Sequence, residues 1–203
     1  MQLFHYHLVT SKVRQVESRY LGKLGFDLVA RHGRIGDDLV SFAPGVSWEE
    51  LDQRSFKLRL SELERGGVNV VVQPGQWEIP RIDHLGIALA DDEFVEVLER
   101  AEELELRIQD HGGRRTFVGT NAGFRLEVHP PREWLDELLQ GGIEFRIGEL
   151  HLRADDPQHK AQALADLLGL PPLADGVEVG ESLIRFLGDG PQGRPQLDAE
   201  LFL

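Results

Sequence analysis

A strand-plus-helix signature that occurs three times constrains this chain more than any other feature of its sequence. Three short apolar strands begin alike, and a helical stretch follows each of them: residues 3–9, 82–88 and 147–152. In the first and third copies the helix ends in Leu-Gly, and Gly25 and Gly169 lie equally far beyond the strand. An internal repeat of this size indicates one supersecondary unit that is used several times.

The repeat divides the chain into three modules, and we predict domains at 1–80, 81–145 and 146–203. Each module contains a first strand, a helix with apolar residues at helical spacing, and further strands separated by glycine and proline turns. The predicted fold class is therefore α+β, built from three βαβββ modules. We expect residues 48–65 to be partly helical, and we expect a linker helix over 133–140 that ends at 141–142.

Composition narrows the possible partners. The formal charge of −13 argues against nucleic acid and anionic membranes, because both select basic surfaces. The chain has no cysteine, which excludes disulfides, thiolate nucleophiles and Fe–S sites. We expect no leader before the first strand, and no apolar run approaches the roughly 18 residues that a membrane span needs. We expect a cytoplasmic protein with a small-molecule substrate.

The equivalent first-strand positions carry His5, His84 and Glu149. Together with Glu127, on a closing strand, the two histidines form a two-His-one-carboxylate set. Such a set suits six-coordinate Fe(II) or Mn(II) with open positions for substrate. Taken alone, each histidine could instead be a hydrogen-bonded residue of the core or the surface that binds no metal.

Residues two apart in a strand share a face, so His7 accompanies His5 and His129 accompanies Glu127. We predict His7, His129 and Gln73 as candidate catalytic bases or orienting residues, since outer-shell partners commonly fix metal ligands. Two other functions stay open. One is a metal-free protein that sequesters a drug or metabolite, and the other is a pseudo-enzyme whose cup serves as an interaction module.

Three motifs carry a family resemblance: His5 followed by Tyr20 and Leu24-Gly25, the segment Ile82-Asp83-His84-Leu85-Gly86-Ile87, and Leu126-Glu127-Val128 ahead of Pro130. With these the chain resembles the vicinal oxygen chelate superfamily, which includes glyoxalase I, extradiol dioxygenases, fosfomycin-resistance enzymes and bleomycin-binding proteins. The resemblance implies that modules one and two pair within one chain into a cup-shaped sheet. Their first and last strands would supply the metal ligands.

Carried over by position, the resemblance implies that His5, His84 and Glu127 hold the metal, while Val71 takes the place of a fourth ligand. It implies either a ring-cleaving dioxygenase or an isomerase or epimerase that acts on adjacent oxygens. Two departures stand against the dioxygenase. Phe117 occupies the place of its tyrosine, and the segment 69–73 lacks its acid–base histidine.

Module three has glutamates where the other modules have ligands. Glu149 takes the first-strand position and Glu200 the last-strand one, and without imidazole we expect a structural module with no metal. An odd module leaves an open sheet edge, so we expect a homodimer in which module three meets its copy.

Overall fold

The computed structural model describes residues 1–140 and 145–203. Within them the chain forms thirteen strands and five helices, in the order β1 (Gln2–Thr10), α1 (Val13–Lys23), β2 (Asp27–Ile35), β3 (Asp38–Phe42), α2 (Trp48–Gln53), β4 (Lys57–Arg65), β5 (Val68–Pro74), β6 (Arg81–Ala88), α3 (Asp91–Glu103), β7 (Ile108–Asp110), β8 (Thr116–Gly119), β9 (Arg125–His129), α4 (Glu133–Gln140), β10 (Ile147–Arg153), α5 (Pro157–Leu168), β11 (Gly176–Val179), β12 (Ser182–Leu187) and β13 (Gln196–Phe202). The expected end of the linker helix at 141–142 lies outside the described residues.

All thirteen strands belong to one sheet, and the predicted α+β class with repeated βαβββ modules is confirmed. Module one follows the order β1-β5-β4-β2-β3, and module two follows β6-β9-β8-β7. In both, the first strand is parallel to the last, and β1 and β6 pair antiparallel at the centre. Their buried residues are nearly continuous in sequence, as expected for strands covered on both faces.

The central pairing relates modules one and two by a local two-fold axis. His5 lies opposite Gly86, and His7 lies opposite His84. Exchanging the two modules therefore maps His5 onto His84 and His7 onto Gly86. Two equivalent histidines, His5 and His84, thus lie on neighbouring strands where the two modules meet.

The outer strands continue this equivalence. On β5, Asn69, Val71 and Gln73 pair with successive alternate residues of β1. On β9, Arg125, Glu127 and His129 pair in the same way with β6. Val71 is thus equivalent to Glu127, which agrees with the alignment implied by the resemblance.

The expectation that residues 48–65 are partly helical is confirmed. Residues 48–65 are helical only in α2, where Ser47 and Glu50 form a capping box, and then continue as strand β4. The alternating burial of β4 explains the strand, since one face packs on the core. Gly33 lies inside β2, where a Cβ would overlap the Lys57 carbonyl of the neighbouring strand.

Module three departs from the other two in its last strand. Its order is β11-β12-β10-β13, so β13 lies on the opposite side of β10 and is antiparallel to it. Residue Gln196 of β13 also pairs with Arg81 of β6. The open-edge reasoning for a dimer therefore does not hold at this edge, since β13 covers it.

The two glutamates of module three are both engaged within the chain. The Glu200 carboxylate is almost fully buried and pairs with Arg19 of α1, beside Tyr20. Glu149 pairs with His151 at 2.7 Å on the same strand. The homodimer stays a prediction. Among the described residues, no helix combines the length and apolar character that a membrane crossing requires.

Candidate metal centre

A cavity of about 680 Å³ opens where modules one and two meet. Its wall brings together five of the six residues predicted for the site, with an aromatic side chain from the linker helix: His5, His7, His84, Glu127, His129 and Trp134. The sixth, Gln73, is half-buried on β5 and lies outside this lining. The strands explain the convergence, because the facing positions of β1, β6 and β9 all point to one side of the sheet.

Three donor atoms meet at one point of the cavity. His5 Nε2 lies 3.1 Å from His84 Nε2, and His84 Nε2 lies 3.1 Å from Glu127 Oε2. Ligands that bind a metal at roughly 2.1 Å and at right angles are about 3 Å apart. The spacing therefore fits two imidazoles and one carboxylate around a single ion. All three side chains are buried.

The other nitrogen of each imidazole is fixed by an acceptor. His5 Nδ1 lies 2.7 Å from Asn69 Oδ1, and His84 Nδ1 lies 2.9 Å from Asp83 Oδ2. The Asn69 oxygen faces His5 because its amide nitrogen donates to two other glutamates. The acceptors Asn69 and Asp83 thus hold a proton on each Nδ1, which turns each Nε2 toward the centre of the cluster as the atom that can bind a metal. With the Glu127 carboxylate, three possible ligand atoms converge on one point.

His7 has one ring nitrogen without a partner among the described residues. Its Nε2 is buried and has no hydrogen-bond partner in the described part of the chain. His5, His7 and His84 each offer a ligand atom within 4.8 Å of the others. Burial and the neighbouring His84 lower the pKa of His5 to about 3, and the same causes lower the pKa of His7 to about 2. Both rings are therefore neutral near pH 7, and each can offer a lone pair to a metal.

The second oxygen of Glu127 is held from two sides. His129 Nε2 lies 3.2 Å from Oε1, and Arg115 Nε lies 3.3 Å from the same atom. Burial opposes ionisation, but the hydrogen bond from His129, together with the His84 ring beside the other oxygen, outweighs it and keeps the pKa of Glu127 well below its usual range. The His129 ring packs edge-on against Phe4 and Trp134, which fixes its direction. His129 therefore orients the carboxylate.

Sequence reasoning missed the residues that orient the histidines. Asp83 precedes His84 and is buried within an apolar strand, and such a charge requires partners. Its partners are His84, Arg125 and Arg194. Burial opposes its ionisation, but the hydrogen bonds from His84 and Arg125 keep the pKa of Asp83 below its usual range. An acidic residue inside the second apolar strand was the available signal.

No protein-family model matches the chain, and no curated protein sequence matches it. Solved structures do match. The Mn(II)-bound glyoxalase of Novosphingobium aromaticivorans superposes with a TM-score of 0.56 at 14% identity, over 97% of this chain and 63% of that one. A 2,2',3-trihydroxybiphenyl 1,2-dioxygenase of Sphingomonas wittichii gives a TM-score of 0.60 at 14% identity, over 95% and 69%.

Homoprotocatechuate 2,3-dioxygenase of Brevibacterium fuscum, solved with 3,4-dihydroxyphenylacetate, gives a TM-score of 0.58 at 13% identity, over 96% of this chain and 62% of that one. The chain thus spans about two thirds of the length of these proteins. All three are vicinal oxygen chelate proteins. At such low identity the likeness establishes the fold, and the fold of this chain is that of the vicinal oxygen chelate superfamily.

Proposed function

We propose that this chain is a divalent-metal-dependent enzyme that acts on a small substrate with adjacent oxygens. One observation carries the proposal: two imidazole nitrogens with their protons fixed elsewhere and one ionised carboxylate converge within 3.1 Å contacts. Two imidazoles and a carboxylate suit Fe(II) or Mn(II). The Mn(II)-bound state of the similar glyoxalase supports the same choice.

In this proposal His5, His84 and Glu127 hold the ion. When bound, the metal supplies Lewis-acid stabilisation of an anionic substrate oxygen. Asn69 and Asp83 hold the two rings in the donor tautomer, and His129 holds the carboxylate. These residues keep the ligand set in place before substrate arrives, so little reorganisation is needed.

His7 is the proton acceptor in this proposal. Its Nε2 lies beside the ligands and has no hydrogen-bond partner in the described part of the chain. A substrate hydroxyl or an activated C–H group placed at the metal's open positions would give its proton to this atom. Gln73 opposes the shift in the pKa of His7, so its role is to orient that ring.

Ring-cleaving dioxygenation is the first of the two proposed reactions. A three-residue ligand set leaves open positions on a six-coordinate ion, an arrangement typical of non-haem iron oxygenases. Phe4 and Trp134 provide flat apolar surfaces in the cavity wall for an aromatic ring. Isomerisation or epimerisation is the second proposed reaction, and the position of His7 Nε2 beside the ligands is the observation in its favour.

The arginines of the cavity wall indicate the charge of the substrate. Arg59, Arg114 and Arg115 line the opening, although the chain as a whole is strongly acidic. Arginine is suited to bidentate binding of carboxylates. An anionic substrate, such as an aromatic acid with two adjacent hydroxyls, fits this lining.

Elemental analysis of the purified protein, of His84→Ala and of His151→Ala tests the proposal. His151 is the matched control, because it also lies beside a glutamate on a strand but in module three. We expect about one equivalent of metal in the parent and in the control, and a large loss in His84→Ala. Equal metal content in all three proteins would refute the metal site. Ligand binding that survives complete metal removal would then favour the sequestering protein.

Two assays on the metal-loaded protein separate the reactions. Oxygen uptake with a panel of catechols reports ring cleavage, and deuterium exchange into an α-hydroxy ketone reports proton transfer. The domain division at 1–80, 81–145 and 146–203, the homodimer and the cytoplasmic location also stay proposals. Sedimentation of the full chain tests the homodimer.

A further inference from the structure

We infer that module three has a positioning role in the metal centre of modules one and two, through Arg194. Arg194 holds the Asp83 carboxylate, and Asp83 in turn fixes the donor tautomer of His84. The inference rests on the proposed metal site, to which it adds a third module that supplies no ligand.

The Asp83 carboxylate is buried, and its two oxygens have different partners. Its Oδ2 accepts from His84 Nδ1 at 2.9 Å and also from Arg125. Its Oδ1 lies 2.7 Å from Arg194 Nη2. Arg125 belongs to module two, whereas Arg194 comes from the loop between β12 and β13 of module three. Each oxygen thus has its own cation, which fixes the rotation of the carboxylate.

The loop that carries Arg194 is fixed against module two by backbone contacts. Ile82 N–H donates to Pro195 O at 3.0 Å, and Leu197 N–H donates to Pro80 O at 2.9 Å. Before Arg194, the Gly193 carbonyl packs against Gly123, and a Cβ at position 123 would overlap it. The chain after Arg194 is therefore held beside the start of β6, two residues from Asp83, and the chain before it is held against Gly123.

Loss of the arginine would act on the metal ligand through this carboxylate. Without Arg194, Asp83 Oδ1 stays buried without its cation, and the carboxylate gains by turning toward Arg125. The acceptor for His84 Nδ1–H is then weakened. A proton on Nε2 instead of Nδ1 would occupy the lone pair that points at His5 and Glu127, and metal would bind less tightly.

The two ligand histidines differ in where their support comes from. The acceptor for His5 is Asn69, which is held at 3.0 and 2.9 Å by two glutamates of module one. His5 is thus oriented by its own module. His84 alone depends on a residue from module three, which gives this module a function other than metal binding or dimerisation.

Chelator competition measures the metal affinity of the parent, Asp83→Ala, Arg194→Gln and the double variant. Removal of an outer-shell partner weakens metal binding by about 10–100-fold, which we expect for Asp83→Ala. We expect about a tenfold loss for Arg194→Gln and partial recovery for Arg194→Lys. Because Arg194 acts through Asp83, the double variant should match Asp83→Ala alone. Additive losses would refute the inference.

Arg153→Gln is the matched control. Arg153 also lies in module three, pairs with an aspartate at 2.5 Å, and is 40% exposed against 37% for Arg194. We expect its metal affinity to equal that of the parent. Arg194→Gln binding metal as tightly as this control would overturn the inference.

Nitrogen-15 NMR of the histidine rings gives a readout that needs no metal. In the chelator-treated parent we expect His84 to carry its proton on Nδ1, and in Arg194→Gln we expect a shift of that proton toward Nε2. An unchanged His84 tautomer in Arg194→Gln would refute the inference, whether or not the parent binds metal. Failure of the parent to bind metal, together with a shifted tautomer, would instead refute the proposed function alone.

Discussion

Modules one and two share the same strand order and the same register, yet they place different side chains at equivalent positions. His5 and His84 match across the local two-fold axis. Val71 and Glu127 occupy equivalent places on the last strands, and only the second offers a ligand atom. A symmetric backbone thus carries an asymmetric site. The carboxylate comes from module two alone.

The second asymmetry concerns His7 and Gly86. A Cβ at Gly86 would lie 2.7 Å from the Cβ of His5, so glycine there leaves room for the His5 ring. The equivalent His7 keeps its side chain, and its ring centroid lies 4.7 Å from that of His84. Module one therefore provides a further imidazole, and module two provides the space that lets His5 reach the centre.

The largest effect should come from Glu127→Val, which makes module two resemble module one. Loss of one ligand of three should weaken metal binding by at least about 100-fold, beyond what outer-shell changes cause. Chelator competition measures the affinity. Val71→Ala, the same strand position in module one, is the control and should bind metal like the parent. The double variant Glu127→Val with Val71→Glu should recover part of the affinity, and a folded double variant with no recovery would contradict the equivalence.

The next effect is a pH dependence of the free energy of unfolding. It should come from His7 of module one, which has no counterpart in module two. Burial lowers the pKa of His7 from 6.5 to about 2. Between these two pH values His7 is neutral in the folded chain and protonated in the unfolded chain. The free energy of unfolding therefore falls as pH drops below 6.5, by up to about 1.4 kcal/mol per pH unit for such a group. His5, with its pKa lowered to about 3, adds to the same slope.

Urea unfolding of chelator-treated protein between about pH 5 and 6.5 measures this slope. His7→Gln should reduce it by about 1 kcal/mol per pH unit. Above pH 7, where both states leave the ring neutral, the difference between His7→Gln and the parent should not change with pH. An unaltered slope in the acid range would show that His7 is hydrated or paired in the folded protein.

Local patterns were sufficient for the repeat and for the approach of His5, His84 and Glu127, because strand periodicity and module equivalence fix which face a residue occupies. That these residues bind metal stays a prediction. The sequence did not indicate that β13 lies beside β10, nor that Arg194 reaches Asp83, since both depend on contacts between distant segments. Strand β4 was missed because its alternation follows directly on the capped helix α2.

The ends of helices α1 and α3 give the smallest test of the comparison. Equal spacing from the first strand places Leu104 at the position of Gly25, but α3 ends at Glu103 with Leu104 as its C-cap, and the left-handed residue is Glu105, with φ 53°. Gly25 has φ 68°. A residue with a Cβ in this conformation costs roughly 1–2 kcal/mol, which glycine avoids.

Glu105→Gly should raise the free energy of unfolding by about 1 kcal/mol, and Gly25→Ala should lower it by about 1 kcal/mol. Urea unfolding measures both, and Glu102→Gly inside α3, which should lose about 0.5–1 kcal/mol, controls for the flexibility of glycine. A loss in Glu105→Gly as large as in Glu102→Gly would show that module two closes its helix without strain.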